Sequence, residues 1–172
     1  MKILITGNRG FVGAETQKLL IKQGHEVIGY DIMDGLDIRD PVLFENTIIQ
    51  TRPDRILHLA AIARFNDADA NPKLAFQTNV LGTMNVKNIA IKYHIPLVYA
   101  STGSVYMPIT ETPPITEEFH ACGNSTYGCT KYMGELYVKE HSPYIILRYA
   151  HLFGKYPIYY ICVSRLNEAH AI

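Results

Sequence analysis

Tryptophan is absent from the 172 residues, cysteine occurs three times, and acidic and basic residues cancel at 16 each. The missing tryptophan decides nothing. The charge balance decides more: with no basic stripe and no block of like charge, neither nucleic acid nor an anionic membrane is expected as the main partner. No apolar run approaches the roughly 20 residues needed to cross a bilayer. Met1-Lys2-Ile3 passes straight into an apolar stretch, so no signal peptide is expected. Cys122, Cys129 and Cys162 are odd in number and lack a C-x-x-C spacing. They predict neither a disulfide framework nor a metal site, and place the chain in a reducing, cytoplasmic setting. There is no internal repeat and no low-complexity segment. A chain with 48% hydrophobic residues remains, long enough for one globular domain with a real core.

That domain is organised around Lys2 to Gly13, KILITGNRGFVG. A short apolar strand, Ile3-Leu4-Ile5, runs into a turn with glycines at 7, 10 and 13. A helical pattern follows, with Val12, Thr16, Leu19 and Leu20 on one face. Gly7 suits a tight turn off the strand, and Gly10 lets a pyrophosphate approach the amides at the helix N-terminus. Gly13 lets the helix pack closely against the sheet. The spacing is G-x-x-G-x-x-G, and the strand before it and helix after it supply the context such a pattern needs. Arg9, Phe11 and Val12 lie in the same turn and join the three glycines as candidate cofactor-binding residues.

A second strand, Glu26 to Asp31, ends eighteen residues beyond Gly13 in an acid. An acid there accepts from ribose hydroxyls and repels a 2′-phosphate, so Asp31 favours NAD over NADP, although Arg9 could tolerate the extra phosphate. Asp37 and Ile38 are candidates to hold the adenine, while Asp40 with Pro41 reads as the start of a helix to about Gln50. The run from Arg55 to Ala61 reads as a strand buried on both faces. Leu59, Ala60 and Ala61 at its end would let a cofactor lie against the backbone, and His58 reads as a packed strand histidine. Asn71-Pro72 opens a long helix to about Tyr93. Asn79, Gly82, Thr83 and Asn85 within it suggest a side facing another backbone or a site. The next strand, Ile95 to Ser101, ends in the hydroxyl-rich Thr102-Gly103-Ser104-Val105-Tyr106. A long loop at 107–124 follows. Ser125-Thr126 then caps a helix to about His141, with Cys129, Tyr132, Met133 and Leu136 as its buried face and Tyr127 and Lys131 on the opposite one. Tyr144 to Arg148 reads as a further strand, and 158–172 is left open, with a helix as one option.

Taken together, these motifs resemble the extended short-chain dehydrogenase/reductase family in its NAD-dependent nucleotide-sugar epimerase and dehydratase branch. The matching pieces are Thr6-Gly7-x-x-Gly10-x-x-Gly13, Asp37-Ile38-Arg39-Asp40, His58-Leu59-Ala60-Ala61, Asn79-Val80-x-Gly82-Thr83, Ser101 to Tyr106, Tyr127-x-x-x-Lys131 and Leu147-Arg148. The resemblance implies a Rossmann-like doubly wound parallel α/β sheet that binds NAD, with Asn79, Tyr127 and Lys131 on its cofactor-binding side. Tyr127 is the implied proton carrier, Lys131 the cation that favours its phenolate and binds the nicotinamide ribose, and Thr102 the hydroxyl on the reacting oxygen. Gly103 and Ser104 stand where the family's dehydratases carry an acid pair, so dehydration is disfavoured and the pattern looks like the sugar 4-epimerases. A simple NAD-dependent dehydrogenase or reductase stays open beside that. Arg148-Tyr149-Ala150-His151 departs from the family's Arg-x-x-Asn, which puts the diphosphate contact in doubt. The family's substrate lobe is largely missing, so residues 1–154 are expected to form the NAD-binding domain and 155–172 the start of the substrate side. A truncated NAD-binding module without catalysis of its own is the alternative. The two long helices at 71–93 and 127–141 resemble those of the family's dimer interface, which implies a homodimer.

Overall fold

The computed structural model describes residues 1–106, 115–117, 119, 123–150, 152 and the strand Val163–Leu166. Its first strand, β1 (Lys2–Thr6), has Leu4 and Ile5 completely buried, as expected of a strand covered on both faces. β2 (Glu26–Tyr30) and β3 (Arg55–His58) flank it in parallel, and β4 (Leu97–Thr102) and β5 (Tyr144–Tyr149) extend the sheet beyond β3. β6 (Val163–Leu166) closes the edge antiparallel to β5, giving the order β2-β1-β3-β4-β5-β6. The chain thus leaves β1 in one direction and returns to its other side at β3. In a doubly wound sheet this switch point opens a crevice beyond the strands' carboxyl ends.

The helices follow their caps. α1 (Phe11–Lys22) packs on β1 and β2. α2 (Pro41–Thr51) starts where Asp40 Oδ1 accepts from the amides of Val42 and Leu43 at 3.0 Å each, with proline in the first turn. A short helix, α3 (Phe65–Ala70), was not anticipated from the sequence. The long helix is continuous but uneven: α4 (Pro72–Phe76) widens into a π-turn at Gln77–Gly82 and resumes as α5 (Thr83–Lys92). α6 (Thr126–Val138) begins with the Ser125 hydroxyl accepting from Gly128 N. One core joins Leu4, Phe44, Ile56, Val86, Leu97, Tyr99 and Ile146 beneath α2, α5 and α6.

Three expectations change. On α1, Leu19 is 55% exposed, and the residue fully buried is Gly13. A Cβ on Gly13 would collide with the Gly7 carbonyl and lie 2.6 Å from Asn8 Cα, so the close approach it allows is to the turn rather than to the sheet. On α6 the buried side is Gly128, Thr130, Lys131, Gly134, Glu135 and Val138, and Leu136 is 48% exposed. Two physical facts rotate the helix this way: Gly134 lets it press on the Tyr99 hydroxyl, and the buried charges find partners inside. In the tail, residues 163–166 form a strand and not a helix. The rest of the tail, His151, Cys122, Cys162 and most of the 107–124 loop lie outside the described residues.

Candidate functional site

Gly7 leaves β1 with φ +72, a left-handed conformation, and a Cβ there would sit 2.7 Å from Ala60 N. Glycine is therefore required twice over, by conformation and by contact with the end of β3. Gly10 precedes α1 without a side-chain cap, and no acid lies in the helix's first turn. The first intrahelical bond runs from Ala14 N to Gly10 O, which leaves the amides of Phe11, Val12 and Gly13 without intrahelical acceptors. Uncapped amides at the positive end of a helix, beside a turn that no side chain can fill, suit an anion.

Asp31 follows β2 and is 7% exposed. Its Oδ1 accepts from Met33 N at 3.0 Å and its Oδ2 from Arg9 N at 3.0 Å, which fixes the carboxylate at the switch point and leaves each oxygen a further lone pair. The Arg9 guanidinium is engaged by Asp34, with Nε donating to Oδ2 at 2.7 Å. Asp37 is held by Arg39, whose Nε lies 2.8 Å from its Oδ2, and this pair keeps the carboxyl below its usual range. Ile38 is 4% exposed and packs where a Cβ on Gly82 would otherwise stand. A hollow of about 410 Å³ is lined by Asp37, Arg39, Asp40, Gln77 and Leu81.

The end of β3 is fixed by polar contacts. Thr6 Oγ1 accepts from the amides of Leu59 and Ala60 at 3.2 Å each, and Ala61 follows in the same turn. His58 is completely buried between Thr6 Oγ1 at 2.7 Å and Thr83 Oγ1 at 2.9 Å. Burial, reinforced by the Lys131 charge, pushes its pKa down to about 3, so it is neutral and structural near pH 7. Asn79, completely buried on the π-turn, accepts from Ile62 N at 2.8 Å. It donates to Ile62 O at 3.1 Å and Thr130 Oγ1 at 3.0 Å. Its side-chain amide is consumed in holding this loop to α6, which leaves it no free donor for a cofactor.

Tyr127 and Lys131 stand one turn apart on α6, facing the end of β4. Tyr127 is half-buried and packs edge-to-face on Phe65 at 5.4 Å, with the Thr102 side chain near its hydroxyl. Burial raises its pKa and the Thr102 contact opposes that rise. Lys131 is 2% exposed, with Nζ 4.0 Å from the centroid of the Tyr99 ring. Burial drives its pKa down to about 7, against the pull of Glu135. Thr102 ends β4, 5% exposed, and Ser104 N donates to its Oγ1 at 3.2 Å. The structure thus brings Thr102, Tyr127 and Lys131 together. Gly7 and Gly10 follow β1 and Asp31 follows β2, at the carboxyl ends of neighbouring strands of the same sheet.

Sequence reasoning singled out Ser101 and Arg148 but passed over the carboxylate that joins them behind Thr102, Tyr127 and Lys131. Glu135, completely buried, accepts from Arg148 Nε at 2.9 Å and Nη2 at 2.6 Å, and also from the Ser101 hydroxyl. The available signal was an acid four residues after Lys131, a spacing that places both on one stripe of the helix.

A doubly wound sheet whose switch point lies between β1 and β3, with a glycine turn after β1 and buried ionisable groups by the end of β4, defines a Rossmann-type dinucleotide-fold domain. The chain belongs to the family described as the RmlD substrate binding domain, whose model matches residues 1–168, within the extended short-chain dehydrogenase/reductases. A putative UDP-glucose 4-epimerase of Methanocaldococcus jannaschii is 32% identical over 89% of this chain and 56% of its own length. Among solved structures, dTDP-4-dehydrorhamnose reductase of Bacillus anthracis, in complex with NADP, has 31% identity and a TM-score of 0.82. The match covers 91% of this chain and 56% of the reductase. UDP-glucose 4-epimerase of Thermotoga maritima, with UDP-glucose, has 28% identity and a TM-score of 0.80 over 86% of this chain and 55% of its own. The chain spans about half the length of the curated relatives it matches.

Proposed function

We propose that this chain is the cofactor-binding half of an NAD-dependent, epimerase-like enzyme acting on a sugar hydroxyl of a nucleotide sugar, with Thr102, Tyr127 and Lys131 as its catalytic residues. The observation that carries the reading is the burial of Tyr127 and Lys131 one turn apart beside Thr102, at the sheet edge that also carries the glycine turn. The residues fit the cofactor: Gly7 packed on Ala60 and Gly13 packed on Gly7 keep the turn tight, the amides of Phe11, Val12 and Gly13 lack intrahelical acceptors and suit a pyrophosphate, and Asp31 offers acceptors to ribose hydroxyls. Arg9, neutralised by Asp34, gives little help to a 2′-phosphate, which favours NAD over NADP. Asp37 and Ile38 border the adenine end, and Leu59, Ala60 and Ala61 form the crevice floor.

When bound, the dinucleotide supplies reversible hydride acceptance. Tyr127 Oη is the atom that takes and returns the hydroxyl proton. Thr102 Oγ1 orients that hydroxyl and stabilises charge on the reacting oxygen. Lys131, with a pKa near neutrality, binds ribose hydroxyls and moderates the burden that burial places on a Tyr127 phenolate. Gly103 and Ser104 carry no carboxylate, so water elimination has no acid–base pair here.

A second reading, a cofactor-binding module without turnover of its own, is favoured by the chain's span of about half its relatives. A reductase is the variant suggested by the reductase neighbours. Exposed Phe76, Leu81 and Leu136 on the long helix and α6 support a homodimer through these helices. Cytoplasmic placement fits the cofactor; among the described residues no helix is long and apolar enough to cross a membrane. Calorimetric titration with NAD, NADP and UDP- and dTDP-sugars separates the readings. NAD binding that enhances sugar-nucleotide binding supports the enzyme, and NAD binding with no sugar nucleotide recognised supports the module.

A further inference from the structure

Tyr127, Lys131 and Glu135 follow one another at four-residue intervals along one stripe of α6, half-buried at Tyr127 and buried at the other two, and the last has the most partners. Both carboxylate oxygens of Glu135 are occupied. Oε1 takes the Ser101 hydroxyl and Arg148 Nε, and Oε2 takes Arg148 Nη2. Ser101 and Arg148 are themselves register partners across β4 and β5, and Ser101 immediately precedes Thr102. One carboxylate therefore joins the helix that carries Tyr127 and Lys131 to the strand end that carries Thr102. The Arg148 guanidinium lies over the Tyr106 ring at 4.7 Å, which fixes the far side of the pair. A buried ion pair is a poor stabiliser, since well-packed apolar residues of similar size serve as well or better. Stability alone therefore gives little reason for a carboxylate one turn from Lys131.

We propose that Glu135 is a positioning residue for the Tyr127–Lys131 pair: anchored by Arg148 and Ser101, its carboxylate ties α6 to the Thr102 strand and sets the charge environment of Lys131, one helical turn away above the Tyr99 ring. Among the described residues, the groups facing Lys131 are His58 from β3, which is neutral, Tyr99 from β4, and Glu135 from its own helix, where Tyr127 lies one turn before it. Arg148 of β5 reaches Lys131 through Glu135, and Lys87 of α5 is taken by Glu140 at 2.8 Å. Asp67 and Asp69 of α3 and Lys73 of α4 are exposed. Glu135 is thus the carboxylate that offsets the desolvation of Lys131. The mechanistic meaning of this rests on the function proposed above, but the electrostatic effect does not.

The test is an NMR titration of the full chain carrying ¹³Cε-labelled lysine, with the Lys131 signal assigned by its loss in Lys131→Arg. Glu135→Gln is expected to lower the Lys131 midpoint by about one pH unit or more, and Arg148→Gln, which frees the carboxylate, to raise it. Loss of a merely structural pair would destabilise both variants without moving the midpoint in opposite directions. Should either single variant fail to fold, Glu135→Leu/Arg148→Met leaves no buried charge unpaired, and its midpoint is expected below that of the wild type. An unchanged midpoint in the double variant, or shifts of the same sign in the two single variants, would overturn the proposal. NAD calorimetry on the same wild-type sample reports the cofactor reading separately, so a failure of one is seen apart from a failure of the other.

Discussion

At the β1–β2 side of the crevice the lining is backbone: Gly7 pressed on Ala60, free amides at the start of α1, and a carboxylate pinned by two main-chain N–H groups. At the β4–α6 side it is made of side chains taken out of water: Lys131 over Tyr99, and Glu135 locked to Arg148. The first kind of site depends on shape and tolerates changes of charge in its surroundings. The second depends on charge, and its chemistry shifts when a partner is neutralised even if no atom moves. The same end of the sheet thus holds a turn built from backbone and a cluster of buried ionisable side chains.

The largest expected effect separates the two ends. Tyr127→Phe should cut any epimerase or reductase turnover by roughly 10²–10⁴-fold while leaving NAD affinity within a few-fold, as steady-state kinetics beside calorimetry would show. Equal loss of both would mean that the two ends are not independent. Next comes Gly7→Ala, which should destabilise the fold by about 2–3 kcal/mol in urea unfolding and abolish NAD binding, because strain and collision with Ala60 add. Gly24→Ala is the control: φ there is +82 but a Cβ meets nothing within 4 Å, so only strain of about 1 kcal/mol is expected and binding should survive.

Stability against pH sharpens the contrast, since one buried base, Lys131, lies on the charged side and the other, His58, between the two ends on β3. His58 falls from 6.5 to about 3 on folding and Lys131 from 10.5 to about 7. In each window the unfolded chain carries a proton that the folded chain refuses. Stability should therefore rise with pH between about 3 and 6.5, and again between about 7 and 10.5, each contribution having a limiting slope of roughly 1.4 kcal/mol per unit. Denaturant melts across pH should show both rises, and Lys131→Met should remove the upper one. The smallest effect belongs to the exposed rim. Asp34→Ala should change stability by less than about 1 kcal/mol, yet free Arg9 and narrow the NAD-over-NADP preference measurable by calorimetry.

Much of the backbone-built end was legible in the sequence, because a left-handed turn against another strand leaves glycine as its signature. The five parallel strands, the capped starts of α2 and α6 and the long helix were legible for the same reason: proline, Asx and hydroxyl caps, and continuous apolar runs are local. The π-turn was not, although Asn79 and Gly82 marked the spot, since its cause is a distant partner, Ile62 and Thr130 on Asn79. The buried face of α6 was misread because apolar periodicity selects Cys129, Tyr132, Met133 and Leu136. The helix instead buries Lys131 and Glu135, whose partners sit on β4 and β5. A charged residue looks solvated until its counterion is known, and that counterion lies across the fold.

The most direct test of the cofactor crevice is calorimetric titration of the folded chain, stripped of any co-purified nucleotide, with NAD. Saturable binding at one site per chain, weakened when NADP replaces NAD, is the expected result. A folded chain that takes up neither dinucleotide would contradict the assignment of the glycine turn and Asp31, and with it the proposed chemistry at Tyr127.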